Sequence, residues 1–166
     1  ADSRPETWLD IPGMKTFSLK GRYRSTRQIT AFAEAWLNAE HYAPDGTLGV
    51  LEGEMPQVCH ASGREEAAAM AAADLAAMRR SGLPQGEMAV LYARTDGNLP
   101  GLLMDALARN GMMTLWPAED ERAKRRYDIT TDAVTVSTIH SMKGMDFACV
   151  TLVLPRELGE GRERML

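Results

Sequence analysis

The order of strand-like and helix-like segments constrains the fold of this chain more than any other feature of its sequence. Residues 88–93 (MAVLYA) form a continuous apolar run between turn residues, which is typical of a strand buried on both faces. Residues 134–139 (VTVSTI) and 148–154 (ACVTLVL) are two further strand candidates, and helix-like segments lie between strands. This alternation predicts an α/β fold with a parallel sheet flanked by helices.

The clearest helix signal covers residues 65–80, which are dense in strong helix formers. Ser62 and Glu65 fit a capping box at its start, and Gly82 with Pro84 follows its end in the usual stop order. We therefore expect a long helix directly before the strand at residues 88–93.

Shorter elements are predicted on both sides of this pair. We expect a helix that starts at Ser25 or Thr26 and ends near His41, and a second helix at residues 99–109 that Gly111 ends. The short strand candidates are residues 16–19, 48–51, 57–61 and 112–116, and residues 117–131 read as a polar connector. Residues 1–15 read as a lead-in, which leaves residues 16–166 as the folded domain.

Composition is that of an ordinary globular domain. The chain has 166 residues, of which 45% are hydrophobic and 25% charged. It contains no apolar run of membrane-spanning length and no secretory leader pattern, so we expect a cytoplasmic protein without a membrane partner. Cys59 and Cys149 lie in apolar runs without C-x-x-C spacing, which predicts buried reduced thiols and no metal site.

The net charge of −4 argues against a protein that coats nucleic acid generally, but the charges are unevenly distributed. Residues 11–33 contain no acidic residue and five cations: Lys15, Lys20, Arg22, Arg24 and Arg27. A second basic cluster at residues 122–126 adjoins three acidic residues, so it is interpreted as a solvated surface.

Residues 140–147, which follow VTVSTI, contain more polar and charged groups than packing requires. Thr138 and Ser141 offer hydroxyls for phosphate oxygens, Gly144 allows close backbone approach, and the Asp146 carboxylate accepts bonds from sugar hydroxyls. We expect this loop at the carboxyl edge of the sheet, where ligands bind in such folds. The alternative interpretation of Thr138 is a strand-end cap, and a single histidine such as His140 is more often structural.

Taken in order, these segments resemble the UvrD/Rep-type superfamily 1 helicases. VTVSTIHSMKGMDFACVTLV resembles motif V, in which a strand is followed by T-x-H-x-x-K-G-L-E-F and a second apolar strand. FSLKGRYRSTRQITAFAEAWL resembles motif IV, with its L-x-x-N-Y-R-S, and MAVLYART resembles the next strand of the family. The three segments follow the family's order and account for most of residues 17–154.

The resemblance implies the second RecA-like motor domain of an ATP-dependent DNA helicase, a three-layer domain of the P-loop NTPase type. ATP would then be bound by Tyr23 on the adenine, by Arg24 as the catalytic γ-phosphate contact, and by Gly144 and Asp146. The motif V positions matching the single-stranded DNA track are Thr138, His140, Ser141 and Lys143.

This sequence departs from the family at several points. Asp146 stands where Glu is usual, Arg22 stands where Asn is usual, and residues 96–133 leave no room for the family's large accessory insertion. The dipeptide Gly-Lys occurs nowhere, so a Walker A loop is absent. Residues 161–166 resemble the opening of motif VI.

We therefore expect a fragment whose Mg²⁺ and phosphate-cradling loop belong to a first RecA-like domain, its partner in the same polypeptide. Two other interpretations stay open. One is a helicase-derived module that binds nucleic acid or protein without motor activity. The other is an unrelated α/β phosphate binder, which explains the alternation but not the ordered motifs.

Overall fold

The computed structural model describes residues 22–37, 49–93, 97–117, 120–128 and 130–154; at residues 22–24, 34, 36–37, 49–50 and 124 it describes the backbone alone. The chain forms two compact units, Ala1–Gln57 and Val58–Leu166.

In the first unit, strand β1 (Arg22–Thr26) leads directly into helix α1 (Arg27–Leu37), and strand β2 (Gly49–Leu51) pairs with β1 in parallel. The Ile29 amide donates to the Thr26 hydroxyl oxygen at 3.2 Å. This bond satisfies a free amide of the first helical turn, and it confirms the predicted helix start at Thr26. The predicted strand at residues 16–19 lies outside the described residues.

The second unit contains the remaining elements. In chain order they are α2 (Arg64–Arg80), a 3₁₀ turn (Gln85–Glu87), β3 (Met88–Tyr92), α3 (Leu99–Arg109), β4 (Thr114–Leu115), α4 (Glu121–Arg125), β5 (Val134–Thr138) and β6 (Cys149–Val153). Strands β4, β5, β3 and β6, in that spatial order, form a sheet whose three pairings are all parallel. The predicted α/β fold with a parallel sheet flanked by helices is therefore confirmed, as are the two long helices of this unit.

One face of this sheet is covered by α2 and α3. The core there combines alternate residues of β3 and β5 with the alanine-rich stripe of α2 and the leucines of α3: Met88, Val90, Tyr92, Val134, Val136, Ala68, Ala72, Leu75, Leu103 and Leu107. Small side chains on α2 let the helix lie close to the strands, and burial of the larger ones supplies the hydrophobic stabilisation.

The opposite face of the sheet is covered without a long helix. Ala89 and Leu91 of β3 pack with Met142 and Phe147 from the segment between β5 and β6. Farther along, the Tyr127 hydroxyl lies 3.0 Å from the Thr135 hydroxyl, and Thr135 alternates with the valines that face α2 and α3. The connection from β4 to β5 and the connection from β5 to β6 therefore both run over this second face.

The strand order explains this division. The chain moves in one direction across the sheet from β3 to β4, and in the other direction from β4 to β5 and from β5 to β6. Right-handed crossovers in opposite directions must use opposite faces. The connections that leave the neighbouring carboxyl ends of β3 and β5 consequently go to different faces, which makes this edge a topological switch point.

Several local predictions are wrong. Residues 57–61 form no strand, and Cys59 within them is exposed rather than buried, whereas Cys149 is partly buried; neither cysteine is in a disulfide. The Ser62 amide donates to the Glu66 carboxylate at 2.7 Å, so the capping partner lies one residue beyond Glu65. Residues 117–131 contain α4.

Within the described ranges, no helix has the length and apolar character needed to cross a bilayer.

Candidate functional site

The candidate site is the connection between β5 and β6, which crosses the sheet from its carboxyl edge to its amino edge. The Ile139 amide donates to the carbonyl of Tyr92, the last residue of β3, at 3.0 Å. The Ala148 amide donates to the carbonyl of Glu87, just before β3, also at 3.0 Å. Residues 139–148 thus span the full length of β3, which is about 16 Å at about 3.3 Å per residue.

This crossing corrects the expectation that the whole loop lies at the carboxyl edge. Because β5 and β6 are parallel, their connection has to return to the end where β5 began. Thr138 and Ser141 lie at the carboxyl edge, and Asp146 lies beside residues that precede β3, at the amino edge. Thr138 and Asp146 are therefore separated by about the length of a strand.

The hydroxyl of Thr138 closes the turn that follows β5. It donates to the Ser141 hydroxyl at 2.8 Å and accepts from the Ser141 amide at 3.1 Å. This is the strand-end cap that the sequence left open as an alternative. The cap holds the start of the loop in one conformation and directs His140 outward, where its side chain is exposed.

The middle of the loop combines a buried anchor with exposed polar groups. Met142 is buried, while Lys143 and Gly144 next to it are exposed. Gly144 has a φ of 94°, and apart from Gly144 and its two chain neighbours no residue has an atom within 4 Å of the position that a Cβ would occupy there. A ligand can therefore approach the backbone closely at Gly144, beside the Lys143 ammonium group.

Asp146 lies at the rim of an open cavity of about 600 Å³ at the amino edge. The cavity is lined by Pro84, Gly86, Glu87, Thr130, Thr131, Asp132, Asp146, Phe147 and Ala148. Three of these residues carry carboxylates, so the cavity favours hydroxyl and amino groups over phosphate.

Tyr23 and Arg24 belong to β1 in the first unit, and their side chains lie outside the described part of the chain. The expectation that they join Gly144 and Asp146 around one nucleotide stays a prediction.

The sequence analysis missed a pair of aromatic residues at the carboxyl edge. Trp116, directly after β4, donates its indole N–H to the Tyr92 hydroxyl oxygen at 3.0 Å. Tyr92 is fully buried, and desolvation raises the pKa of its phenol, an effect that the hydrogen bond from Trp116 partly offsets. The only signal in the sequence was a Trp-Pro pair at the end of a short apolar segment.

Among the described residues, no three His, Cys, Asp or Glu side chains are grouped so that they could hold a metal ion.

A scan against protein-family models and a search of curated proteins both find no match for this chain.

Proposed function

We propose that this chain is the second RecA-like motor domain of an ATP-dependent DNA translocase of the UvrD/Rep type. In this role it contributes half of an interdomain ATP site and part of a single-stranded DNA track. The observation that carries the proposal is the loop of residues 139–148, which presents His140, Lys143 and a positive-φ Gly144 to solvent from a rigid parallel sheet. The motif order of the sequence supports the same function.

The DNA contacts are assigned to the carboxyl-edge half of this loop. His140 stacks on a base or donates to a phosphate, and Lys143 pairs with the backbone charge. Thr138 and Ser141 contribute mainly by holding the turn, because the Thr138 hydroxyl already bonds twice to Ser141.

Only the sugar and base of ATP suit the amino-edge half of the loop. The side-chain position of Gly144, which is open space, and the exposed Asp146 suit the sugar and base of a nucleotide, whereas Glu87, Asp132 and Asp146 repel its triphosphate. The phosphates are therefore assigned to Arg24 and to the first motor domain, which also holds Mg²⁺. ATP supplies the free energy of phosphoryl hydrolysis.

The second candidate function is a binding module derived from a helicase. Two observations favour it: Asp146 is one methylene shorter than the usual Glu, and α3, β4 and α4 occupy most of residues 97–128, where the family carries an accessory domain. Such a module would bind single-stranded DNA without any nucleotide affinity.

A pair of titrations on matched variants tests the proposal. A labelled oligothymidylate and a labelled ATP analogue are titrated with the parent chain, His140→Ala and His60→Ala. His60 is also exposed but lies in the irregular segment before α2, so it controls for loss of an imidazole. We expect His140→Ala to weaken oligonucleotide binding about fivefold or more, since stacking contributes roughly 1–3 kcal/mol per base.

Affinity for the ATP analogue should be unchanged in both variants. Oligonucleotide binding without any affinity for the analogue would favour the binding module. A parent chain that binds neither ligand, or a His140→Ala variant that loses the analogue but keeps the oligonucleotide, would contradict the proposed division of the loop.

A further inference from the structure

The pair formed by Tyr92 and Trp116 lies at the switch point of the sheet. Tyr92 is the last residue of β3 and is level with Thr138, the last residue of β5. The chain leaves these two neighbouring positions toward opposite faces, as at a topological switch point. In open parallel sheets, ligands bind outside the carboxyl ends of the strands at such a point.

The indole of Trp116 has to extend over β5. Trp116 follows β4, and β5 lies between β4 and β3, so its bond to Tyr92 bridges two strand spacings of about 4.8 Å each. Tyr92 belongs to the core on the face of α2 and α3, and so do the alternating residues of β5. Leu115 pairs with Thr135, so Trp116 is level with Val136, two residues before Thr138 at the end of β5. The indole therefore crosses this face near the carboxyl end of β5.

The orientation of the indole is set before any ligand arrives. Its N–H is held by a phenol that is itself fully buried, and the buried Pro117 that follows restricts the backbone of Trp116 to extended conformations. The side chain nevertheless stays partly exposed. A rigid aromatic group with an accessible surface binds with little loss of conformational entropy.

We propose that Trp116 is a stacking platform for a base of the single strand that His140 contacts, and that Tyr92 is its positioning residue. This inference rests on the proposed function, because it assigns a further residue to the same track. It also gives the track a sequence-tolerant contact, since every base has an aromatic face.

The experiment compares two labelled strands, an oligothymidylate and the same strand with abasic sites. Trp116→Ala should weaken binding of the oligothymidylate about five- to a hundredfold, and Trp116→Phe should weaken it less. On the abasic strand, which offers nothing to stack on, parent and Trp116→Ala should bind equally. Equal losses on both strands would show a structural role and overturn the inference.

Tyr92→Phe keeps the aromatic ring and removes only the acceptor for the indole. We expect it to weaken binding of the oligothymidylate and not of the abasic strand, because a freely turning indole stacks less often. If Tyr92→Phe matches the parent on both strands, Tyr92 has no positioning role.

A fluorescence measurement covers the case in which Trp116→Ala does not fold. In a Trp8→Phe, Trp36→Phe background Trp116 is the only tryptophan, and its emission should fall on addition of oligothymidylate but not of the abasic strand. Unchanged emission at saturating oligothymidylate would overturn the inference and leave the proposed function intact. If the parent chain binds no oligonucleotide, the proposed function and the inference fail together.

Discussion

Thr138 and His140 lie two residues apart, yet the structure gives them different tasks. The hydroxyl of Thr138 is bonded within its own loop, and the imidazole of His140 is exposed. A hydroxyl that already makes two bonds gains little from exchanging one of them for a phosphate oxygen. The polar contacts of the proposed track therefore depend on His140 and Lys143.

Gly144 permits a test with a matched control. Gly144 and Gly82 both have positive φ angles, 94° and 104°, and in both cases the position of a Cβ is open space. Replacing either by alanine should lower the free energy of unfolding by about 1 kcal/mol, because an L-residue is strained in this conformation. Urea unfolding should give similar values for both variants.

Only Gly144→Ala should also weaken binding of the ATP analogue, since only Gly144 is assigned to the nucleotide. Equal nucleotide affinity in the two variants would remove Gly144 from the site.

The helix cap at Ser62 predicts a change in one pKa. Bonds from the Ser62 hydroxyl and amide hold the pKa of Glu66 below its usual value. Ser62→Ala removes the hydroxyl bond, the larger of the two effects, so the pKa of Glu66 should rise toward the usual value for a glutamate. An NMR titration of the glutamate side chains measures this shift, and Ser81→Ala at the other end of α2 serves as the control.

The same bonds give stability a defined pH dependence. Because the pKa of Glu66 is lowered in the folded protein, its contribution is complete above the pKa of the unfolded chain and is lost as the pH falls through the folded value. A parent chain and a Ser62→Ala variant whose stabilities fall in parallel through this range would contradict the assignment.

At the scale of elements, the most unusual feature is the crossing between β5 and β6. A parallel connection usually needs a dozen or more residues and a helix, whereas residues 139–148 cross the sheet with turns alone. Met142 and Phe147 replace the helix as cover for Ala89 and Leu91. The loop that carries the candidate site is thereby anchored at its middle as well as at both ends.

Met142 should accordingly be a stability determinant, and Met113 offers a control of the same residue type. Met142 is 8% exposed and Met113 is 65% exposed. Met142→Ala should cost about 2–3 kcal/mol in the free energy of unfolding, and Met113→Ala less than about 0.5 kcal/mol. Chemical denaturation of both variants checks this difference; similar costs would mean that the loop does not cover the sheet as described.

At the scale of the whole molecule, the sequence lacks one part that the proposed ATP-dependent function needs. The chain contains no Gly-Lys dipeptide and hence no Walker A loop in either unit. If the proposed function is correct, turnover of ATP requires groups that these 166 residues do not contain.

We therefore expect the isolated chain to show no measurable ATPase activity in a phosphate-release assay, with or without oligonucleotide. If the complete protein is the proposed translocase, Arg24→Ala in it should lower kcat about a hundredfold, since loss of one charge-stabilising group costs about 3 kcal/mol of barrier. Arg27→Ala, which removes an exposed ion pair with Glu52 (3.2 Å), should leave kcat near the parent value. Turnover by the isolated chain would refute the fragment interpretation.

The sequence by itself determined the fold class and most of the elements that build it. The run at residues 88–93 became the fully buried β3, and the alanine-rich segment became α2, because apolar continuity and helix propensity act locally. The same local rules failed where pairing with another strand decides whether a strand forms. Residues 57–61 look like a short extended segment in the sequence but pair with no strand in the described part of the chain, whereas the polar β1 forms because β2 pairs with it.

Only the tertiary structure decided how the candidate residues are distributed. Sequence order placed residues 138–146 together, but the parallel direction of β6 sends Asp146 to the opposite edge from Thr138. The tertiary structure also brings Trp116 to Tyr92, which lies 24 residues earlier in the sequence and across an intervening strand. Strand order and crossover direction arise from packing over the whole sheet, so no local pattern encodes which distant side chains meet at its edge.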